Sequence, residues 1–164
     1  MWLHRRPAAR YKWRMTPLHW KLVVDSADPH TQAEFWAGAL GYEIEDNSGL
    51  IERLLAAGAA PEAATVEVRG HRAWRDLIAV RHPEDPCDAD TGMGLGRRIL
   101  FQRVPEPKTA KNRIHLDLHP GPERRAAEVA RLEELGASVL RHVKEPGGEW
   151  SVMQDPEGNE FCVH

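Results

Sequence analysis

Apolar and polar positions along this chain fall into phrases, and one phrase occurs twice. WKLVV (20–24) has the length and apolar content of a short strand. DSADP follows, with Asp28 placed to cap a helix and Pro29 placed at its first position. Apolar residues then recur at Ala33, Trp36, Ala37 and Leu40, the spacing of a helix face, and Gly41 stops the run. YEIE (42–45) predicts a second strand. The same order returns at RIHLDL (113–118), where Gly121 and Pro122 open a helix with Ala126, Val129, Leu132 and Leu135 as its inner stripe. Gly136 closes that helix, and ASVLRHV (137–143) is the next strand. Two similar segments of strand, helix, glycine and strand make an internal repeat.

The second copy runs on through the turn EPGG (145–148), the strand EWSVMQ (149–154), the turn DPEGN and the terminal strand EFCV. Asp155, Pro156 and Gly158 suit the first, second and fourth positions of a type I turn. The first copy ends on RRILFQRV (97–104), but its middle is swollen. SGLIERLLAAG (48–58) predicts an inserted helix, ATVEV (64–68) and LIAV (77–80) predict strands, and 82–94 reads as a loop. The resulting division is a basic head at 1–15 expected to be disordered, a first β-α-β-β-β module at 16–104 with an insertion at about 47–98, a linker at 105–112 and a second module at 113–164. The fold class is α+β.

Charge and composition narrow the function classes. The 22 Lys and Arg against 25 Asp and Glu give net −3, which supplies no reason to expect a nucleic acid. Residues 1–15 carry five of the basic residues and no acid, leaving 17 against 25 in the rest, or net −8. That head has no apolar run of signal-peptide length, Met15 would serve as an alternative start, and no stretch suits a membrane span. Two cysteines, Cys87 and Cys162, are too few for a disulfide framework, so a reducing cytoplasm is expected.

The phrases ADP…FW…LGYE in the first copy and IHLDL…LEELGA…DPEGNEF in the second resemble the glyoxalase/bleomycin-resistance superfamily, also called the vicinal oxygen chelate superfamily. The match is nearest to its glyoxalase-like branch and covers 18–164 outside the insertion. The resemblance implies paired β-α-β-β-β modules whose curved sheets form a cup, with helices outside and ligands inside. It also implies a homodimer, and in many members a divalent metal (zinc, nickel, manganese or iron) held by the first and last strands of each module. Two function classes follow: a lyase, isomerase or dioxygenase-type enzyme acting on a small oxygenated molecule, or a non-catalytic drug-binding protein.

Alternation in 113–118 places His115 and Asp117 on one strand face, opposite Ile114, Leu116 and Leu118. His115 matches the ligand histidine that the resemblance implies, and Glu160 the terminal ligand of GNEF; they are the candidate catalytic and metal-binding pair. In the first copy the corresponding slots fall on Lys21 and Gln102, neither a good ligand for these ions, and His19 shares the strand face of Lys21 as a substitute. Lys21, Gln102 and Asp117 are therefore expected to touch substrate, with Trp74 of the insertion as a lid. Each has a plainer reading: Glu160 simply pairs with Lys21, Trp36 and Trp150 belong to the core, Cys162 is a small core residue, and Arg124 pairs with Glu128 on a solvated helix face.

Overall fold

The computed structural model describes residues 18–164. The expectation of a disordered head at 1–15 lies outside the described residues. Helix α1 (Pro29–Leu40) starts and stops where its punctuation places it. The Asp28 carboxylate accepts from the Thr31 amide and hydroxyl, Pro29 takes the first turn, and Gly41 closes the helix in the left-handed region at φ 66°. The Thr31 hydroxyl, ahead of its amide, holds the Asp28 carboxyl below the usual aspartate value.

Strand β1 (Leu22–Ser26) precedes α1, and β2 (Glu43–Ile44) follows it. The insertion then supplies α2 (Ser48–Ala56) and the hairpin β3 (Thr65–Val68) to β4 (His71–Trp74). Strands β5 (Leu77–Arg81) and β6 (Arg98–Arg103) complete the first sheet in the order β1-β6-β5-β2. The second sheet repeats this order as β7-β10-β9-β8, built from β7 (Asp117–Leu118), β8 (Ser138–Glu145), β9 (Gly148–Gln154) and β10 (Glu160–Val163), with α3 (Arg125–Glu134) between β7 and β8. In each sheet the first strand lies parallel to the last. The molecule has the α+β class predicted.

The core joins one face of each sheet. Val80, Ile99 and Phe101 of the first sheet, Met153, Phe161 and Val163 of the second, and Ala33, Phe35 and Trp36 of α1 form a single buried cluster. Phe161 meets Trp36 edge-on at 5.3 Å and Phe35 at 6.1 Å, so the terminal strand is locked against the first helix. Alternation therefore turns the other face of each sheet away from this core. On the first sheet that face carries Val23 and Asp25 of β1 and Leu100 and Gln102 of β6. On the second it carries Asp117, Glu160 and Cys162.

Three local expectations shift. Only Asp117–Leu118 of 113–118 is strand, because its neighbour β10 begins at Glu160 and the Asn112 amide donates to the Glu160 side chain instead of a ladder. Helix α3 begins at Arg125, since Arg124 still closes a turn onto Gly121, and only Val129 and Leu132 of its stripe are buried. Glu128 pairs with Arg131, not Arg124, and Arg131 also donates to the Gly38 and Ala39 carbonyls at the end of α1.

Candidate functional site

DPEGNEF is first of all a clamp. Asp155, 4% exposed, accepts from the Glu157 and Asn159 amides within its own turn and from the Trp36 indole at 3.1 Å. Glu157 reaches the other way: its carboxylate accepts from the Ser26 hydroxyl and from the Ala27 and Asp28 amides at 2.7–3.0 Å. Those amides sit at the start of α1, where a carboxylate meets the positive end of the helix. The turn thus fixes β10 against the first segment of the chain, and Glu160 follows at a fixed place.

A cavity of about 760 Å³ opens between β1 and the stretch leading into β7. Its apolar wall includes Leu22, Val24, Ile99, Phe101 and Leu116, while His115, Glu160, Lys108, Asn112 and Arg113 bring polar groups to it. Glu160 is the most constrained of these. Its Oε2 accepts from the Asn112 amide at 3.0 Å and lies 3.1 Å from Lys108 Nζ, with its side chain 11% exposed. Burial pushes the Glu160 carboxyl up, but the Asn112 amide, its own backbone amide and Lys108 outweigh that and hold it below the ordinary glutamate value. The Asn112 side chain is held in turn by Asn159 at 3.2 Å.

His115 lies with Nε2 3.3 Å from Asp117 Oδ1, and His164 approaches the other oxygen of Asp117 at 3.5 Å. His164 stacks on His119 at 4.9 Å and on Trp150 at 5.8 Å. Cys162 is buried beside Asp117; burial, then the Asp117 charge, pushes its thiol above the ordinary value.

The candidates from the first copy are placed elsewhere. Lys21 immediately precedes β1 and is exposed, as is His19, and neither lines the cavity. Lys108, not Lys21, stands beside Glu160, because β1 and β10 belong to different sheets while the linker passes directly over β10. Gln102 lies opposite Asp25 on the exposed face of the first sheet. Trp74 lines a separate cavity of about 270 Å³ beneath the inserted hairpin, with His30, His71 and Arg72, because its strand pairs with β3 and not with β7 or β10. His115 and Glu160 do share one cavity.

These positions decide whether a metal fits the donor set that the resemblance implies. Glu160 is already engaged by an ammonium and an amide, and Lys21 and Gln102 offer an ammonium and an amide on a different sheet. The set His115, Glu160, Lys21 and Gln102, with or without His19, does not fit a divalent cation.

Sequence reasoning missed Lys108, Asn112 and Glu157, and it missed the ion pair of Glu45 with Arg98. Glu45 has a side-chain exposure of 0%, accepts from Arg98 Nε at 2.6 Å and from Nη2 at 2.9 Å, and accepts the Gly94 amide at 2.8 Å. This bond ties the loop 82–97 to the edge strand of the first sheet through the Gly94 amide. Gly92 serves the same loop: at φ 74° its Cα faces the Asp46 carbonyl, where a Cβ would stand 2.0 Å from the oxygen.

The comparisons agree with this architecture. The model of the glyoxalase-like domain family matches residues 21–164. No curated protein is significantly similar in sequence. Among solved structures, the fosfomycin resistance protein FosX of Mesorhizobium loti is 9% identical, with 92% of each chain covered and a TM-score of 0.56. A mutant of the Listeria monocytogenes FosX, complexed with Mn(II) and 1S,2S-dihydroxypropylphosphonic acid, is 10% identical at a TM-score of 0.54, covering 92% of this chain and 90% of that one. A glyoxalase/bleomycin resistance protein/dioxygenase family enzyme of Burkholderia phytofirmans PsJN is 12% identical at 0.53, covering 87% and 94%. At such identities the likeness is one of fold. The chain belongs to the glyoxalase-like domain family of the vicinal oxygen chelate superfamily.

Proposed function

We propose that the chain binds a small oxygenated organic molecule in the cavity between β1 and β10. The observation that carries this reading is the convergence of His115, Lys108, Arg113 and Glu160 on an apolar-walled space of about 760 Å³, large enough for such a ligand. Lys108 and Arg113 supply positive charge, so the favoured ligand bears a carboxylate or phosphonate beside a hydroxyl or carbonyl. The bound dihydroxypropylphosphonic acid of the Listeria protein has that chemistry and is the first compound to test. Calorimetric titration of this compound and of small hydroxy acids into the full chain is the experiment. Saturable binding weakened by Lys108→Met supports the reading, and no heat from any of the set would sink it.

A catalytic reading of the same cavity rests on one contact, His115 Nε2 at 3.3 Å from Asp117 Oδ1. Asp117 would orient the imidazole, presenting His115 as a proton donor or acceptor to a bound hydroxyl or carbonyl. Turnover lost in His115→Ala with binding retained would separate it from simple sequestration. The exposed faces of both sheets also favour a homodimer in which a second copy covers them: Val23 and Leu77 are each 39% exposed there. Lys21 and Gln102 lie on or beside such a face, and in a dimer they would contribute to a cup completed by the partner. None of the described helices is long and apolar enough to cross a membrane, and both cysteines are free, which suits a cytoplasmic protein.

A further inference from the structure

We infer that His115, Asp117 and Cys162 form a binding site for a borderline-soft divalent cation, zinc above all, on the open face of the second sheet. One ligand atom from each of the three side chains lies within 4.8 Å of the other two. The backbone brings them together. Cys162 is the ladder partner of Asp117 across β10 and β7, and His115 precedes Asp117 by one pleat. Bonds of about 2.0–2.3 Å at tetrahedral angles separate neighbouring ligand atoms by about 3.3–3.8 Å. His115 Nε2 and Asp117 Oδ1 already have that separation at 3.3 Å. Bringing the Cys162 sulfur in requires a shift of about 1 Å, within the range of a side-chain rotation.

The donor chemistry selects the ion. Imidazole nitrogen, carboxylate oxygen and thiolate sulfur together suit zinc or cobalt(II), whereas magnesium and calcium take oxygen sets. On binding, the metal–sulfur bond replaces the S–H bond and the proton leaves to solvent. A dication, one thiolate, one carboxylate and a neutral imidazole then sum to zero charge, which suits a site floored by a buried cysteine. Asp117 keeps its second oxygen toward His164, itself stacked on His119 and Trp150, so the ligating carboxylate has an orienting neighbour. His115 and Asp117 are each a little over 40% exposed, leaving the outer coordination position open to solvent or ligand.

This centre shares His115 with the set that the superfamily resemblance implies but replaces Glu160 with Cys162, the next residue of β10 on the same face. Glu160 is already taken, because Lys108 and the Asn112 amide occupy its carboxylate. The inference does not depend on what fills the cavity. It does compete with His115 as an acid–base group, since a metal on Nε2 takes the lone pair such work needs.

Cobalt(II) is the probe, titrated into the full chain carrying Cys87→Ser, which removes the exposed thiol. The expected result is a near-ultraviolet thiolate-to-cobalt charge-transfer band saturating at one equivalent. It should vanish in Cys162→Ser, weaken at least tenfold in Asp117→Asn and persist in Glu160→Gln. X-ray absorption of the zinc-loaded Cys87→Ser protein, needing no change at the site, should find one sulfur at about 2.3 Å. A first shell of nitrogen and oxygen alone, cobalt binding without the thiolate band, no binding, or loss of the band in Glu160→Gln overturns the assignment.

Discussion

Replacing Glu45 by Gln removes the negative partner from the most deeply buried ion pair among the described residues and keeps the shape of the side chain. The pair is bidentate, Glu45 is 0% exposed, and Arg98 is 12% exposed, so solvent cannot take over the missing charge. Stranding a buried charge costs about 3–5 kcal/mol. The amide of Gln can still accept from Gly94, so the loss belongs to Arg98 and not to the loop contact. For a chain of this size each kcal/mol moves the melting temperature by about 2–4 °C, which predicts a drop of about 6–20 °C. Glu45→Leu combined with Arg98→Met removes both charges and should recover most of the loss. Urea unfolding of Glu45→Leu, Arg98→Met and their double variant, followed by circular dichroism, gives the coupling energy, expected at about 2 kcal/mol or more. A single variant within about 1 kcal/mol of the parent, or additive losses, would refute the idea that this pair holds the face of the first sheet.

The other predictions concern Glu160, Glu157, Lys108 and assembly. Because the folded-state Glu160 carboxyl lies below its ordinary value, it adds stability above the unfolded pKa that is lost as pH falls through the folded one. Glu160→Gln should lack that acid-side loss in thermal melts across mildly acidic pH, and an identical acid profile would count against the Lys108–Asn112 cradle. Glu157→Ala unties three donors, one of them the Ser26 hydroxyl of a residue 2% exposed, and should cost about 1.5–3 kcal/mol in urea unfolding. Lys108→Met should weaken anionic ligands about 10- to 100-fold while the exposed Lys21→Met does so far less; equal losses by calorimetry would contradict the placement. Light scattering at micromolar concentration should return a dimer mass, and a monomer mass would leave the exposed Val23 and Leu77 without explanation.

What could be read from the sequence follows from how local the causes are. Asp28, Pro29 and Gly41 delimit α1 by contacts within a turn, so the pattern of residues carries the answer. The repeat was legible for the same reason, each copy bringing its own caps and turns. Lys108 was not legible: a lysine between two prolines and a polar run reads as solvated linker, and only the return of the chain over β10 brings it to Glu160. Glu45 and Arg98 lie 53 positions apart and meet because β2 and β6 flank β5. Trp74 lines a cavity apart from His115 because the hairpin that carries it comes from the insertion, whose pairing no local signal defines. The role of Glu157 had a readable hint in DPEGNEF, but its partners at 26–28 are more than a hundred positions away.

The two sheets share a topology and differ in the chemistry of their open faces, and this difference locates where reactivity can reside. On the β2 side of the first sheet charged residues pair across strands, Glu43 with Arg81 and Glu45 with Arg98, and Glu45 also holds the loop 82–97 through the Gly94 amide. A face whose charges are paired across strands and partly covered has little left to polarise a substrate or bind an ion. Beside the second sheet His115, Asp117 and His164 cluster around the buried Cys162, and among the described residues no lysine or arginine pairs with Asp117, so these donors remain open to a metal ion or ligand. Variants of Glu43, Arg81, Glu45 and Arg98 should therefore act through stability, shifting ligand affinity only as far as they unfold the protein. Variants of the half-exposed His115 and Asp117 should alter ligand or metal binding at nearly unchanged melting temperature. A first-face variant that abolished binding while melting like the parent would reverse this division and return Arg81 or Arg98 to the binding site.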